Sequence, residues 1–293
     1  MEPILTRLQA GQTLICDGGM GTMLQARGLQ PGECPELWNI DRPADVQAVH
    51  REYRQAGSRI VECNSFGASR QKLSHFGLGE RAAEINRAAA EIAKAVAGDD
   101  QYVLGSMGPT GEFLQPLGTA SEDDLYGAFA EQASALADGG ADVLIVETMT
   151  AIEEAALAVR AAKDRTDLPV IASFTFDPQA KGGYATMMGV TPEGFATALK
   201  QAGADILGAN CGTGPDHMIR IIEQLRQAAP DTPLMAMPNA GMPEIENGQT
   251  VFKLTPADMA ERATKLVAAG ALILGGCCGT TPAHIAAMAT AVK

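Results

Sequence analysis

The chain has 293 residues, a formal net charge of −13 and 46% hydrophobic residues. That length buries a sizeable core without covalent staples, and so acidic a balance leaves no basic footprint for DNA or RNA. With 32 glycines and 13 aromatic residues, the composition suits many strand-to-helix turns better than a β-sandwich. In chain order, short apolar runs bounded by turn residues predict eight strands: Thr13–Cys16, Arg59–Cys63, Tyr102–Ser106, Val143–Glu147, Val170–Phe176, Ile206–Ala209, Leu234–Met237 and Leu272–Gly275. Most are rich in Val, Ile or Leu with little alternation, the pattern of strands buried on both faces. Helical periodicity covers Ala44–Ala56, Glu80–Ala97, Ser121–Asp138, Ala151–Asp164, Thr191–Ala202, Pro215–Ala228, Pro256–Ala268 and Pro282–Val292. Several of these open with a cap and a proline, as at Thr191-Pro192 and Thr255-Pro256. Several close in Ala-Gly or Gly-Gly, as at Ala56-Gly57 and Gly139-Gly140.

Eight strand–helix units predict an α/β fold, a (β/α)8 TIM barrel forming a single domain over residues 1–293. A doubly wound sheet shares this alternation, but Gly18-Gly19-Met20-Gly21 does not match dinucleotide-binding spacing. The longest interruption, Gln25–Pro43, is expected to fold over one barrel mouth. Leu266–Ala283 carries no charge, yet its glycines, Pro282 and cysteine pair break it into turns and a strand, so no membrane span is expected. Met1-Glu2-Pro3 lacks the basic start of a signal peptide. The expected compartment is the reducing cytoplasm, where cysteines more often serve metal or catalysis than bridges. Adjacent Cys277 and Cys278 could bridge only through a strained ring.

A barrel carries its chemistry at the C-terminal ends of its strands. Those ends read Asp17-Gly18-Gly19, Asn64-Ser65-Phe66-Gly67, Met107-Gly108-Pro109, Glu147-Thr148, Phe176-Asp177, Asn210-Cys211-Gly212, Pro238-Asn239-Ala240-Gly241 and Cys277-Cys278-Gly279. Cys211 ends the sixth strand and the cysteine pair ends the eighth. Any one of them could be an ordinary buried thiol. Three at one mouth suit Zn²⁺, with sulfur at ~2.3 Å and a fourth position left for water or substrate. Successive strand residues point to opposite faces, so both members of the pair reach one ion only through a sharp bend, which Gly275, Gly276 and Gly279 permit.

The segments Asp17-Gly18-Gly19-Met20-Gly21-Thr22, Asn64-Ser65-Phe66-Gly67, Asn210-Cys211 and Gly275-Gly276-Cys277-Cys278-Gly279-Thr280-Thr281-Pro282 resemble the signatures of the homocysteine S-methyltransferase family. The resemblance runs from about Leu14 to Ala291, and the cysteine-pair motif is its most specific part. It implies a zinc-dependent barrel in which homocysteine sulfur accepts a methyl group, with Cys211, Cys277 and Cys278 as zinc ligands. A free thiol has a pKa of about 8.5, and metal coordination deprotonates it. Three cysteine thiolates make the zinc site singly negative and the substrate thiolate makes it doubly so, which keeps the bound sulfur nucleophilic. The substrate ammonium is expected to meet Asp17 and Glu147, each of which could instead be a structural carboxylate. The substrate carboxylate is expected on the N–H groups of the Ser65-Phe66-Gly67 turn. Asn210 and Asn239 are expected to orient ligands, though both could be ordinary turn residues. The resemblance also implies that Asn239 takes the fourth zinc position in the absence of substrate.

Cys16 and Cys63 read as packing, and Cys34 as part of the proline-rich flap. His50, His75, His217 and His284 show no metal spacing, and most read as exposed helix residues. Met187-Met188, in a glycine-rich loop, could line the mouth but read first as core or loop. The run Pro238-Asn239-Ala240-Gly241-Met242-Pro243, followed by Glu246-Asn247-Gly248, resembles most the homocysteine module of cobalamin-dependent methionine synthases. The donor implied is methylcobalamin, and the length leaves no space for a cobalamin or folate module. The expectation is therefore either an excised module of a longer enzyme or a stand-alone subunit working with a separate corrinoid protein that docks on the barrel mouth. Betaine or S-methylmethionine as donor, a corrinoid-pathway methyltransferase acting on another substrate, and a non-catalytic homocysteine- or zinc-binding subunit remain the alternatives. A phosphate-binding aldolase-type barrel would need a strand lysine, which none of the eight strands contains.

Overall fold

The structure, a computed structural model, describes residues 1–246 and 249–292. Asn247 and Gly248 of the methionine-synthase-like run therefore lie outside the described residues. Eight parallel strands form one sheet: β1 (Leu14–Ile15), β2 (Ile60–Glu62), β3 (Tyr102–Met107), β4 (Val143–Met149), β5 (Val170–Phe174), β6 (Ile206–Asn210), β7 (Leu234–Met237) and β8 (Ala271–Leu274). The order is β1-β8-β7-β6-β5-β4-β3-β2. The remaining seam is closed by single bonds: the Arg59 N–H donates to the Ile15 carbonyl at 2.6 Å, and the Glu62 N–H to Asp17 Oδ2 at 2.9 Å. Each strand leads to a helix: α1 (Pro43–Gln55), α2 (Ala82–Ala97), α3 (Glu122–Asp138), α4 (Ile152–Arg165), α5 (Pro192–Gln201), α6 (Pro215–Ala228), α7 (Pro256–Ala268) and α8 (Pro282–Ala291). The expected (β/α)8 barrel is the observed fold. The expected caps also hold, with the Thr191 and Thr255 side chains accepting from the Gly194 and Asp258 amides.

The weak alternation of the strands has a simple cause: both faces are apolar but meet different partners. Inward, Leu14, Ile60, Leu104, Ile145, Ile171, Ile206, Met235 and Ile273 fill the barrel, closed at its lower end by Ile4 and Leu8 of a short N-terminal helix, Ile4–Gln9. Outward, Val61, Val103, Leu144, Val146, Ala172, Leu207, Ala236 and Leu274 pack against the helices. Each fully buried aliphatic side chain contributes about 1.5–3 kcal/mol. Two acidic residues pin the lower rim in the same way. Asp142 accepts from the Val103 amide and Lys94, and Asp205 from the Val170 amide and Lys163.

Several expectations shift. β4 runs two residues further, to Met149, and β5 stops two residues earlier, at Phe174, before a hairpin of Asp177–Pro178 and Tyr184–Ala185. Gln25–Pro43 does fold over the mouth. Its short helices Pro35–Leu37 and Trp38–Asp41 are pinned by Asn39 Nδ2 donating to the Asn64 carbonyl and Asn64 Nδ2 to the Pro35 carbonyl, each at 2.8 Å. Two of the four histidines are not exposed. His50 and His284 are buried in α1 and α8, because each lies on the face its helix turns toward the barrel. Met187 is exposed rather than core. No helix among the described residues is long and apolar enough to cross a membrane.

Candidate metal centre and substrate pocket

The C-terminal ends of the strands surround a cavity of about 390 Å³. Cys211, Cys277 and Cys278 line it together with Glu62, Ser65, Phe66, Glu147 and Glu36 from the flap. The three Sγ atoms lie within 4.8 Å of one another, with Cys211 and Cys278 3.9 Å apart. Local backbone chemistry creates this convergence. Beyond β8 the chain leaves the sheet, and its amides are taken by neighbours: Gly275 by the Ala236 carbonyl, Gly276 by Asp17 and Cys277 by Pro238. A Cβ at Gly276 would lie 2.2 Å from Thr280 Oγ1, so only glycine admits this approach. Gly279 turns back with φ +77, and its amide donates to Thr22 Oγ1 at 2.9 Å. The first and last motifs of the chain are thereby joined.

Cys211 itself has φ 58, a left-handed conformation that costs an L-residue about 1–3 kcal/mol. Thr148, with φ 56, is the other such non-glycine residue among the described residues, and both flank Asn210. Such strain persists only where surrounding contacts over-determine it. Hydrogen bonds from Cys277 and Cys278 pull the Cys211 thiol down to about 3. Their bonding to Cys211 pushes Cys277 well above the ordinary thiol range and Cys278 up to about 11. The trio thus accepts one negative charge readily and resists the next two, a demand that a bound dication meets. Three soft sulfur donors at this spacing fit Zn²⁺.

Above the apolar barrel interior, the same inward register turns polar. Glu62 stands two residues beyond Ile60, Ser106 beyond Leu104, Glu147 beyond Ile145, and Ser173 beyond Ile171. These side chains interlock. Ser106 Oγ donates to Glu147 Oε1. Asn210 Nδ2 donates to Glu147 Oε2 at 3.1 Å and to Thr148 Oγ1 at 2.6 Å. Ser173 Oγ and the Thr148 amide donate to Asn210 Oδ1 at 2.6 and 3.0 Å. Asn210 is therefore a bracket between the metal-centre strand and Glu147. A register shift between β4 and β5 at Val146/Met149 re-aims this part of β4. Burial raises the Glu147 carboxyl above the usual carboxylate range. Burial also pushes Asp17 up to about 7, although the Glu62 amide works against it.

The expected residues are distributed as follows. Glu147 lines the cavity, whereas Asp17 does not and lies buried beside Glu62 with one oxygen committed to the β1–β2 seam. Asn239 lies between the cysteines, its Oδ1 accepting from the Cys278 amide at 3.1 Å. The turn expected to receive a carboxylate is largely occupied. The Gly67 amide donates to Glu36 Oε1 at 2.8 Å, and the Ser65 amide to the Cys63 carbonyl at 2.8 Å. The Ser65 hydroxyl is spent on the Ser106 carbonyl. Only the Phe66 amide has no protein acceptor among the described residues. The competing acceptor, Glu36, comes from a flap whose register the sequence did not reveal. Cys63 is buried as expected, yet it borders the cavity. Glu62, Glu36, Ser106, Ser173 and Thr148 were not anticipated. For Glu62, Ser106 and Ser173 a signal existed: each continues a strand's inward set by two residues.

The homocysteine S-methyltransferase family model matches residues 14–292. Methionine synthases of Mycobacterium tuberculosis (strain ATCC 25618 / H37Rv) and Mycobacterium leprae (strain TN) are 35% and 33% identical over 96% and 97% of this chain. The chain spans only 25% and 24% of those proteins. The metallated form of the homocysteine methyltransferase MmuM from Escherichia coli superposes with a TM-score of 0.77 at 25% identity, covering 97% of this chain and 98% of that one. The carboxyl transferase domain of Rhizobium etli pyruvate carboxylase, at 15% identity and a TM-score of 0.56, shares the fold alone. With the family model matching nearly the whole length and the cysteine trio in place, the chain belongs to the homocysteine S-methyltransferase family.

Proposed function

We propose that this barrel binds homocysteine and methylates its sulfur to give methionine, with methylcobalamin as donor. The observation that carries the reading is the cluster of Cys211, Cys277 and Cys278 beside a cavity whose inner wall is carboxylate. These cysteines would hold zinc, which when bound supplies the acidity that keeps the substrate thiol deprotonated at neutral pH. The chain's own residues do the rest. Glu147, oriented by Ser106 and Asn210, receives the substrate ammonium, with the Asp17 carboxyl behind it at the seam. The Phe66 amide is the donor left for the substrate carboxylate. Asn239 fixes the Cys278 backbone, and Asn210 fixes the strand end that presents Cys211. Positioning the sulfur against the donor is worth several kcal/mol of barrier.

The rim favours a large donor. Phe113 and Leu117 follow β3, Met187 and Met188 follow β5, and Met242 and Ile245 follow β7, all exposed. Together with Phe66, which lines the cavity, they put exposed apolar groups on the loops that follow the strands, which suit a corrinoid-carrying protein. The reducing cytoplasm remains the compartment we propose, in keeping with six free cysteines. The end-to-end overlap with MmuM favours a second reading in which the donor is small, such as S-methylmethionine or betaine. The test is an assay of zinc-loaded protein with homocysteine and each of the three donors. Methionine formed from methylcobalamin alone supports the first reading, and turnover with a small donor replaces it with the second. Tight homocysteine binding without transfer to any donor would make the chain a binding subunit.

A further inference from the structure

Glu62 has no part in the function above, yet register places it inside the pocket. Ile60 points into the barrel, so Glu62, two residues on, points the same way one layer higher. Three carboxyls then gather beneath one substrate ammonium: Asp17 from the end of β1, Glu62 from β2 and Glu147 from β4. Among the described residues no Lys, Arg or His lines the cavity. The other titratable groups nearby are Cys16, Cys63, the Tyr53 hydroxyl from α1, Glu36 of the flap and Cys211, Cys277 and Cys278, none of them cationic.

The three carboxyls differ in how they are served. Asp17 accepts from the Glu62 amide and the Cys16 thiol. Glu147 accepts from Ser106 and Asn210. No N–H or hydroxyl among the described residues donates to Glu62, and its Oε2 is shut off from solvent. The carboxyl of Glu147 lines the same cavity. Two carboxyls brought together in one buried pocket keep a proton between them. Donors favour the ionised form, and Ser106 and Asn210 donate to Glu147 while nothing donates to Glu62, so the proton belongs on Glu62.

We infer that Glu62 serves as a neutral carboxylic acid, a positioning residue that donates to Glu147 and holds it ionised and aimed at the substrate ammonium without adding a further charge. Burial acts in the same direction, pushing Glu62 well above the carboxylate range, with Glu147 and Asp17 adding to the effect. The inference deepens the homocysteine reading and rests on it for the identity of the ammonium.

Infrared difference spectra and calorimetry on the zinc-loaded protein test it. Near neutral pH, wild type should show a protonated-carboxyl C=O stretch that disappears in Glu62→Gln. Glu62→Ala should weaken homocysteine binding about tenfold, the worth of one hydrogen bond to a charged group. Glu62→Gln, whose amide can still donate, should recover most of that loss. It should also remove the decline in affinity that wild type shows as pH rises and Glu62 ionises. An ionised Glu62 at neutral pH overturns the inference, as does a Gln variant that binds no better than the Ala variant. If wild type carries the acid band yet binds no homocysteine, the function reading fails and the proton assignment stands.

Discussion

The lower and upper halves of the barrel interior are built from the same strands with the same alternation, yet they do different work. Below, Leu104, Ile145, Ile171 and Ile206 need no partner beyond one another and the plug of Ile4 and Leu8. Two residues higher in the inward sets stand Ser106, Glu147 and Ser173, and four residues higher Asn210, where nearly every polar atom has an assigned neighbour. A buried polar group left unpaired costs about 1–3 kcal/mol, so this upper layer is as tightly specified as the apolar one, by direction rather than by volume. The lower layer stabilises the fold, and the upper layer uses that rigidity to hold a charge and three thiols in place.

Substitutions can separate the layers. The largest effect is expected from Cys277→Ser. Wild-type protein should contain about one zinc per chain, and the variant should lose at least about a hundredfold in zinc affinity, since ~10–16 kcal/mol of binding is shared by few ligands. Metal analysis after dialysis against a chelator reads this directly. A wild type that methylates homocysteine without zinc would end the mechanism. In the lower layer, Ile145→Ala should cost about 2–5 kcal/mol of stability by denaturant unfolding while the homocysteine KM of the folded enzyme stays near wild type. A KM shift as large as that of a pocket variant would break the division of labour. Glu147→Gln should do the reverse, raising KM for homocysteine about 10- to 100-fold with little change in the unfolding midpoint.

The pH dependence of stability gives a shallower signal. Asp17 keeps its proton in the folded chain up to about 7, whereas an unfolded aspartate releases it near 3.8. Between those values the folded state binds the extra proton, so stability falls as pH rises and levels off above about 7. Asp17→Asn should flatten that slope in a pH series of unfolding midpoints. The smallest effect is expected at the rim. Met187→Ala should lower transfer from a protein-borne corrinoid a few-fold, on the scale of one exposed apolar contact, and leave transfer from free methylcobalamin unchanged.

Much of this was legible beforehand, for reasons that differ from residue to residue. Cys211, Cys277 and Cys278 stand out because three thiols at the strand ends of a barrel point to metal binding or catalysis. Glu147 was visible as the polar end of an apolar run. Glu62 was not, although it ends its strand in the same way, because its neighbour Cys63 drew the strand one residue further and concealed the inward series. The Ser65-Phe66-Gly67 turn was read as an open anion site because nothing local announces that Glu36, 31 residues away, takes the Gly67 amide. His50 and His284 look like surface residues by type, and only the packing of α1 and α8 onto the barrel buries them.

The sequence by itself determined the strand–helix alternation, the caps that start the helices and which three thiols stand at strand ends. These follow from periodicity, backbone preference and residue type, which act over a few neighbouring residues. The tertiary structure alone decided which carboxyl faces which, which amides stay free and how close the thiols come. Those contacts join residues tens to hundreds of positions apart: Glu62 with Asp17 across the seam, Asn210 with Glu147, Gly279 with Thr22. They depend on the register with which the barrel closes, and a one-residue slip in β2 would turn Glu62 out of the pocket altogether.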